Sequence, residues 1–519
     1  HFDSRITNLE LRPRKLSIYK KLAGQTAIYG LSSILGRLLN YLLVPIYTRV
    51  FEAGEYGVVT QLYSYIALMT VIFTYGLDIS FFRYFQSEKG NPKVYSTSLM
   101  SIIFSSLFFG GLIILFAPQL SGIIGTADDI AKPGQSRSLY ISMFAAVLAF
   151  DAITAIPFAM LRQQNKAKRF VFIRLVGIVS NVGLNLFFLV ICPWILKSNP
   201  TSWIASIYYP DFGVGYVFVI NAISSFVCLI LLLPEILRVD WSFDKQLWKE
   251  MMIYSFPLMI AGLAGMINET FDRVLIPILI ADKSTAMAQL GIYGACYKLS
   301  ILMTLFIQTF RYAAEPFFFS HSTKENPQKT YADVMNYFVI VCGFIFLGIM
   351  LFMDVIEVFI GEKFRSGLPV VPILLMANLC LGVFYNLSIW YKLTNKTRWG
   401  AILSLIGAIV TLTLNFALIP VLGYMGAAWT TLICYAVMMI ISYFLGQKHY
   451  PVPYKVGSFF YFIGISIALW IAGDFLRGAI HPGKVFSVMI NLVILLIFIV
   501  LAYIQVRNKN SYLRPTSGK

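Results

Sequence analysis

The chain has 519 residues, of which 58% are hydrophobic and 13% charged, and its mean hydropathy is +0.75. Soluble chains carry about 25% charged residues, so this one has too little polar surface to cover a globule and needs lipid. The formal charge of +17 is not a nucleic-acid footprint, because the basic residues are spread through short connecting segments and not gathered on one face.

Residues 1–21 hold Arg5, Arg12, Arg14, Lys15, Lys20 and Lys21 and no apolar stretch. No cleavable leader is expected there, and the first span would serve as an uncleaved targeting signal. A bilayer core of about 30 Å takes about 20 helical residues. Runs of that length predict spans near 22–49, 57–83, 94–118, 138–161, 169–195, 213–235, 250–280, 287–314, 331–353, 367–391, 398–420, 425–446, 456–476 and 485–506. They exclude membrane strands, which need only about ten residues. The expected fold class is an all-α polytopic membrane protein of about 14 transmembrane helices.

Loop charges test that count. With the N-terminus in the cytoplasm, the even-numbered junctions hold groups such as Arg83, Lys89 and Lys93, then Arg162, Lys166, Lys168 and Arg169, then Arg311, Lys324 and Lys329. With both termini, the inner side collects about 28 Lys and Arg against about nine outside, the bias expected of cytoplasmic loops. The longest outer segment, near 196–212, and the shorter inner ones leave no room for a soluble domain.

The halves resemble each other. Arg37-Leu-Leu-Asn-Tyr-Leu-Leu-Val-Pro45-Ile in span 1 matches Glu269-Thr-Phe-Asp-Arg-Val-Leu-Ile-Pro277-Ile in span 7, Tyr56-Gly57 matches Tyr293-Gly294, and Leu184-Asn185 matches Leu414-Asn415. Offsets of about 230 residues and six spans imply parallel repeats about an axis along the membrane normal. The expected organisation is a basic cytoplasmic segment at 1–21, an N-lobe of spans 1 to 6 at 22–240, and a C-lobe of spans 7 to 12 at 241–449. Residues 450–519 then carry spans 13 and 14 and a cytoplasmic tail: two pseudo-symmetric six-helix lobes plus two C-terminal helices.

A charge at the bilayer centre costs at least about 2.5–3.5 kcal/mol on insertion scales, so depth ranks the ionisable residues. Arg37 is central in span 1 and Lys298 in span 8, Glu269, Asp272 and Arg273 lie in span 7, and Asp151 lies in span 4. Asp78, Arg174, Glu235, Glu315 and Asp474 are nearer helix ends, where snorkelling or pairing accounts for them. Glu269 and Arg273 are spaced i, i+4 and could form a helical ion pair; Arg37 and Lys298 have no acidic neighbour one turn away and need another helix, a water-filled cavity or an anionic ligand. The repeat sets Arg37 opposite Glu269, which would give one lobe a cation for an anionic head group and the other an acid for a coupling ion. Asn40, Asn181, Asn185, Asn221, Asn268, Gln308, Asn378, Asn386 and Asn415 are read as interhelical hydrogen bonders.

Six cysteines stand singly, without C-x-x-C spacing, and the four histidines His1, His321, His449 and His481 fall in terminal or loop segments. Neither set forms a metal constellation. No Walker A loop, G-x-S-x-G elbow or H-E-x-x-H motif occurs, so an enzyme is not expected.

Three stretches together resemble the polysaccharide-transporter branch of the multidrug/oligosaccharidyl-lipid/polysaccharide exporter superfamily. They are Ala23-Gly-Gln-Thr-Ala-Ile-Tyr-Gly-Leu-Ser-Ser-Ile-Leu-Gly-Arg37, then Pro45-Ile-Tyr-Thr-Arg49 with Glu55-Tyr-Gly57, and Leu414-Asn-Phe-Ala-Leu-Ile-Pro420 running on through Gly423 and Gly426 to Thr430-Thr431. The resemblance implies a Wzx-type flippase that moves an undecaprenyl-diphosphate-linked oligosaccharide, a repeat unit of O-antigen, capsule or exopolysaccharide, across a bacterial cytoplasmic membrane by alternating access. It implies that Arg37, then Lys298, then Arg273 and Arg174 hold the diphosphate. It also implies Na+ or H+ coupling through a charge network of Asp151 and Glu269 and a second-lobe site of Asp272, Asn415 and Thr430, although span 11 lacks the acid such a site often has. No other cofactor is implied; membrane lipids and a polysaccharide polymerase or chain-length protein are the implied partners, nucleic acid is not. A cation-coupled multidrug exporter and a lipid II flippase of the same superfamily are the alternatives.

Overall fold

Lipid offers the backbone no hydrogen-bond partners, so each apolar segment closes its own bonds as a helix. The computed structural model describes residues 38–39, 41–124, 137–322, 325–481 and 483–511, and among these every regular element is helical. Twelve helices are long and apolar enough to cross a membrane: Ala53–Ser87, Pro92–Leu115, Arg137–Gln163, Ala167–Ser198, Gly215–Leu237, Lys245–Leu279, Pro327–Leu351, Val370–Leu393, Arg398–Leu422, Tyr424–His449, Val456–Ile480 and Lys484–Arg507. A pair of helices bent by 48°, Lys283–Leu299 and Ile301–His321, is together long and apolar enough for a thirteenth. These are the expected spans 2 to 14 in order. Most of span 1, with Arg37 and Asn40, lies outside the described residues, which include only its final helix Val44–Val50.

Several spans are longer or less regular than hydropathy indicates. Span 2 breaks at Tyr75 and Gly76, both at positive φ (35° and 71°). Only glycine suits the second position: besides its left-handed φ, an added Cβ would lie 3.0 Å from the Ser255 carbonyl of span 7. Span 5 passes through a π-helical turn, Phe187–Ile191, just before Pro193; proline has no N–H to continue the α ladder, and the Cys192 N–H bonds back to Phe187 instead. The helix of span 8 continues to His321, past the expected end at 314, and His321 and His449 both close helices rather than lie in loops.

By contacts the chain divides into two compact units, one of residues 1–51, 58–266 and 282–285, the other of 52–57, 267–281 and 286–519. The first has a core of aromatic and aliphatic side chains from spans 2, 3, 4, 6 and 7, with Leu77, Phe81, Leu99, Ile102 and Ile156 fully or almost fully buried. In the second, spans 13 and 14 are tied to the end of span 9: the Arg477 guanidinium and the Asn491 amide both donate to the Leu351 carbonyl, at 2.8 and 2.7 Å. That carbonyl is one of the last four of its helix and has no partner within it.

In the same unit Gly57 and Gly291 face each other so closely that a Cβ on either would run into a backbone carbonyl, of Met287 or of Ala53. Small residues permit this backbone approach between membrane helices. Gly291→Val is therefore expected to lower the thermal midpoint of the purified protein, at a cost of about 1–3 kcal/mol for overpacking, as read by a thiol-independent melting assay.

Candidate functional site

Each unit builds its own polar centre within the spans. In the second unit it begins at Asn268 of span 7, whose Nδ2 donates to the Ser404 carbonyl of span 11 at 3.0 Å, while its Oδ1 accepts from the Thr411 hydroxyl at 3.4 Å. The Tyr435 hydroxyl of span 12 donates to the Asn268 carbonyl at 3.3 Å. Spans 7, 11 and 12 thus meet at one polar junction. One helical turn further along span 7 lies Asp272, 4% exposed. Its Oδ2 accepts from the Tyr293 hydroxyl of span 8 at 2.5 Å, and its Oδ1 accepts from the backbone N–H of Arg273 at 2.8 Å.

Span 11 runs parallel to span 7 and span 12 antiparallel, because even and odd numbers of crossings separate them. Moving from the Asn268 junction in the direction of Asp272 therefore leads to Asn415 on span 11 and Thr430 on span 12. Both are fully buried, and Asn415 Oδ1, Asn415 Nδ2 and Thr430 Oγ1 have no hydrogen-bond partner. Buried polar atoms of this kind normally find partners. Asn415 Oδ1 and Thr430 Oγ1 are buried oxygens open to a further donor or a cation, whereas Asn415 Nδ2 is a donor that lacks an acceptor.

The cations of this unit are arranged differently. Arg273 does not pair with Glu269 despite the i, i+4 spacing; its guanidinium lies 4.0 Å from the centroid of the Tyr297 ring, and its Nη2 has no hydrogen-bond partner. Lys298 sits in the last turn before the bend of span 8, within electrostatic reach of Arg273 and Glu269. The bend itself falls at Ser300, whose hydroxyl donates to the Tyr297 carbonyl at 2.8 Å and accepts from Asn378 Nδ2 at 3.3 Å. Glu269 is exposed, and Arg273 and Lys298 are half-buried.

In the first unit, Asp151 of span 4 lies beside Ser225 of span 6 and within electrostatic reach of Arg174 of span 5. Arg174 stacks on Phe158, 4.1 Å from its centroid, and both charged residues are exposed. Above them a ladder of amides and phenols joins four helices. The Asn221 amide donates to the Tyr63 hydroxyl at 2.5 Å, the Asn181 amide to Asn221 Oδ1 at 3.1 Å, the Asn185 amide to the Asn181 carbonyl at 2.8 Å, and the Tyr47 hydroxyl to Asn185 Oδ1 at 2.9 Å.

The structure thus gathers Glu269, Asp272, Arg273 and Lys298 in one unit and Asp151 with Arg174 in the other; Arg37 lies outside the described residues. Sequence reading missed Tyr293, Tyr297 and Tyr63, because thirty tyrosines gave no signal to separate these from interfacial ones. Among the described residues no group of three or more His, Cys, Asp or Glu could hold a metal ion.

The sequence profile of the polysaccharide biosynthesis protein family matches residues 22–322. No curated protein matches the chain. Among solved structures, the lipid II flippase MurJ in an inward closed conformation superposes with a TM-score of 0.67 at 13% identity, covering 92% of this chain and 98% of its own. An inward-facing multidrug resistance MATE family transporter of the MOP superfamily gives 0.63 at 12% identity, covering 80% and 94%. An outward-facing structure of such a transporter gives 0.55 at 15% identity, covering 82% and 94%. The chain therefore shares the fold of these transporters.

Removing the Tyr293 hydroxyl leaves Asp272 Oδ2 without its donor. Tyr293→Phe is expected to destabilise the protein by about 1–3 kcal/mol, visible as a lower thermal midpoint, whereas Tyr297→Phe, which keeps the ring under Arg273, should shift it less.

Proposed function

The chain belongs to the polysaccharide biosynthesis protein family, and from that membership we propose that it is a flippase for an undecaprenyl-diphosphate-linked oligosaccharide. It would carry a repeat unit of a surface polysaccharide across the bacterial cytoplasmic membrane by alternating access of two six-span lobes, with both termini in the cytoplasm. The observation that carries this reading is a set of cations within the spans. Arg273 and Lys298 each lie in a membrane-crossing helix of the second unit, each is half-buried, and neither makes an ion pair within 4.0 Å among the described residues. Cations at that depth are costly, and a diphosphate is the ligand that compensates them, because a guanidinium can grip phosphate oxygens with paired charge-assisted hydrogen bonds. Arg37, on the sequence resemblance, joins the same set.

The family and the transporter fold also argue against an enzyme, since both point to moving a substrate and not transforming it. A multidrug exporter for cations is the second reading; it calls for an acidic or apolar cavity, whereas Arg273 and Lys298 favour an anionic ligand. For coupling, the resemblance suggests Na+ at Asp272, Asn415 and Thr430, and it is supported by two buried oxygens without a partner, Asn415 Oδ1 and Thr430 Oγ1.

Two experiments test this. In cells lacking the native flippase, the double variant Arg37→Ala, Lys298→Ala is expected to lose most translocation of lipid-linked oligosaccharide; unchanged flipping removes the diphosphate clamp. For coupling, a cation bound only by the folded state raises stability by mass action. The thermal midpoint should rise in NaCl relative to KCl, and Asn415→Leu should abolish the difference. An equal midpoint in both salts transfers coupling to protons and to Asp151.

A further inference from the structure

The pairing of spans 8 and 10 at their C-terminal ends holds a group of side chains that neither polar centre uses. Glu315 Oε1 lies 2.6 Å from Lys392 Nζ and 4.0 Å from Arg311 Nε. The Arg311 guanidinium leans over Tyr385, 5.0 Å from its centroid. Between them is a cavity of about 10 Å³, room for a single water. Asn386 also lines it, 4% exposed, with its amide Nδ2 buried and without a hydrogen-bond partner.

A plain interhelical staple does not account for this arrangement. Lys392 and Arg311 both face one Glu315 carboxylate oxygen, which leaves a net positive charge, and the buried Asn386 amide N–H in the same lining is unused. The acceptor the pocket holds is weakly retained, because Glu315 and Arg311 are each 42% exposed and half-exposed pairs are readily exchanged for solvent or another anion.

We infer that Arg311, Lys392 and Asn386 form an anion subsite for a phosphate or diphosphate ester, and that Glu315 is its built-in stand-in, displaced when the ester arrives. The subsite rests on the flippase reading for the source of that ester. On the proposed topology both helices end at the cytoplasmic side, so it would take the diphosphate on entry, ahead of the cations deeper in the spans. The three oxygens of a phosphate match the donors that one carboxylate leaves unmet, and a bidentate guanidinium contact becomes available once Arg311 is released from Tyr385.

Inorganic pyrophosphate, titrated by calorimetry into the full-length protein in phosphatidylcholine nanodiscs, tests the site. An internal competitor lowers apparent affinity by the fraction of time the site is open. Glu315→Gln is therefore expected to tighten pyrophosphate binding, by about tenfold if the wild-type site is open a tenth of the time. Asn386→Leu, which leaves the Glu315–Lys392 pair in place, should weaken binding. Arg311→Ala should cancel the gain of Glu315→Gln. An unchanged or weaker affinity in a folded Glu315→Gln protein overturns the proposal, and so does wild-type affinity in Asn386→Leu, which serves if the first variant does not fold. Repeating the titration in phosphatidylglycerol discs separates sources. Retained tightening supports a diphosphate delivered to the site, whereas its loss shows a phospholipid head group resident there and overturns the assignment to substrate. Translocation measured in parallel keeps the readings apart: absence of flipping by wild type sinks the flippase reading while leaving the pyrophosphate result intact.

Discussion

The cost of an unsatisfied polar group in hydrocarbon governs this protein. A backbone amide or carbonyl without a partner costs several kcal/mol there, so each crossing is a helix. Departures occur where another group answers the freed atoms or the chain has a residue suited to the break. The π-helical turn of span 5 gives Cys192 a bond to Phe187 ahead of Pro193, and the bend of span 8 is fixed through the Ser300 hydroxyl. At the end of span 9, Arg477 and Asn491 satisfy the Leu351 carbonyl, and the same bonds anchor the two C-terminal helices.

The same accounting applied to side chains separates satisfied polar groups from unsatisfied ones. The ladder of Tyr47, Asn185, Asn181, Asn221 and Tyr63 closes on itself through successive donors and acceptors. Asn268 is likewise satisfied from spans 11 and 12. These groups hold helices together. Other polar atoms are buried without a partner, among them Arg273 Nη2, both side-chain polar atoms of Asn415, the Thr430 hydroxyl, Asn386 Nδ2 and the hydroxyls of Ser106, Ser255 and Ser458. Cationic donors without acceptors suit an anion, and clustered oxygens suit a cation.

The fold places this chain beside transporters that share only 12–15% of its residues. Identity at that level is compatible with one architecture because lipid-facing positions tolerate exchange among apolar residues, whereas binding surfaces are set by a few polar positions. Fold likeness therefore describes the scaffold, and the choice of substrate rests on the residues of the site.

Hydropathy by itself determined the helical class, the order of the described spans and the short connections, because span length is imposed locally by the bilayer. Depth along each span similarly singled out Lys298, Arg273, Asp272, Glu269 and Asp151. Helix spacing could not decide partners. It allowed Glu269 and Arg273 to pair, but the structure turns Arg273 onto Tyr297. Tyr293 as donor to Asp272, Arg174 as neighbour to Asp151, and the joining of Arg311, Glu315, Lys392 and Asn386 all depend on how separate helices rotate against one another. That rotation is set by side-chain packing between segments far apart in the chain, so only the tertiary structure decided it.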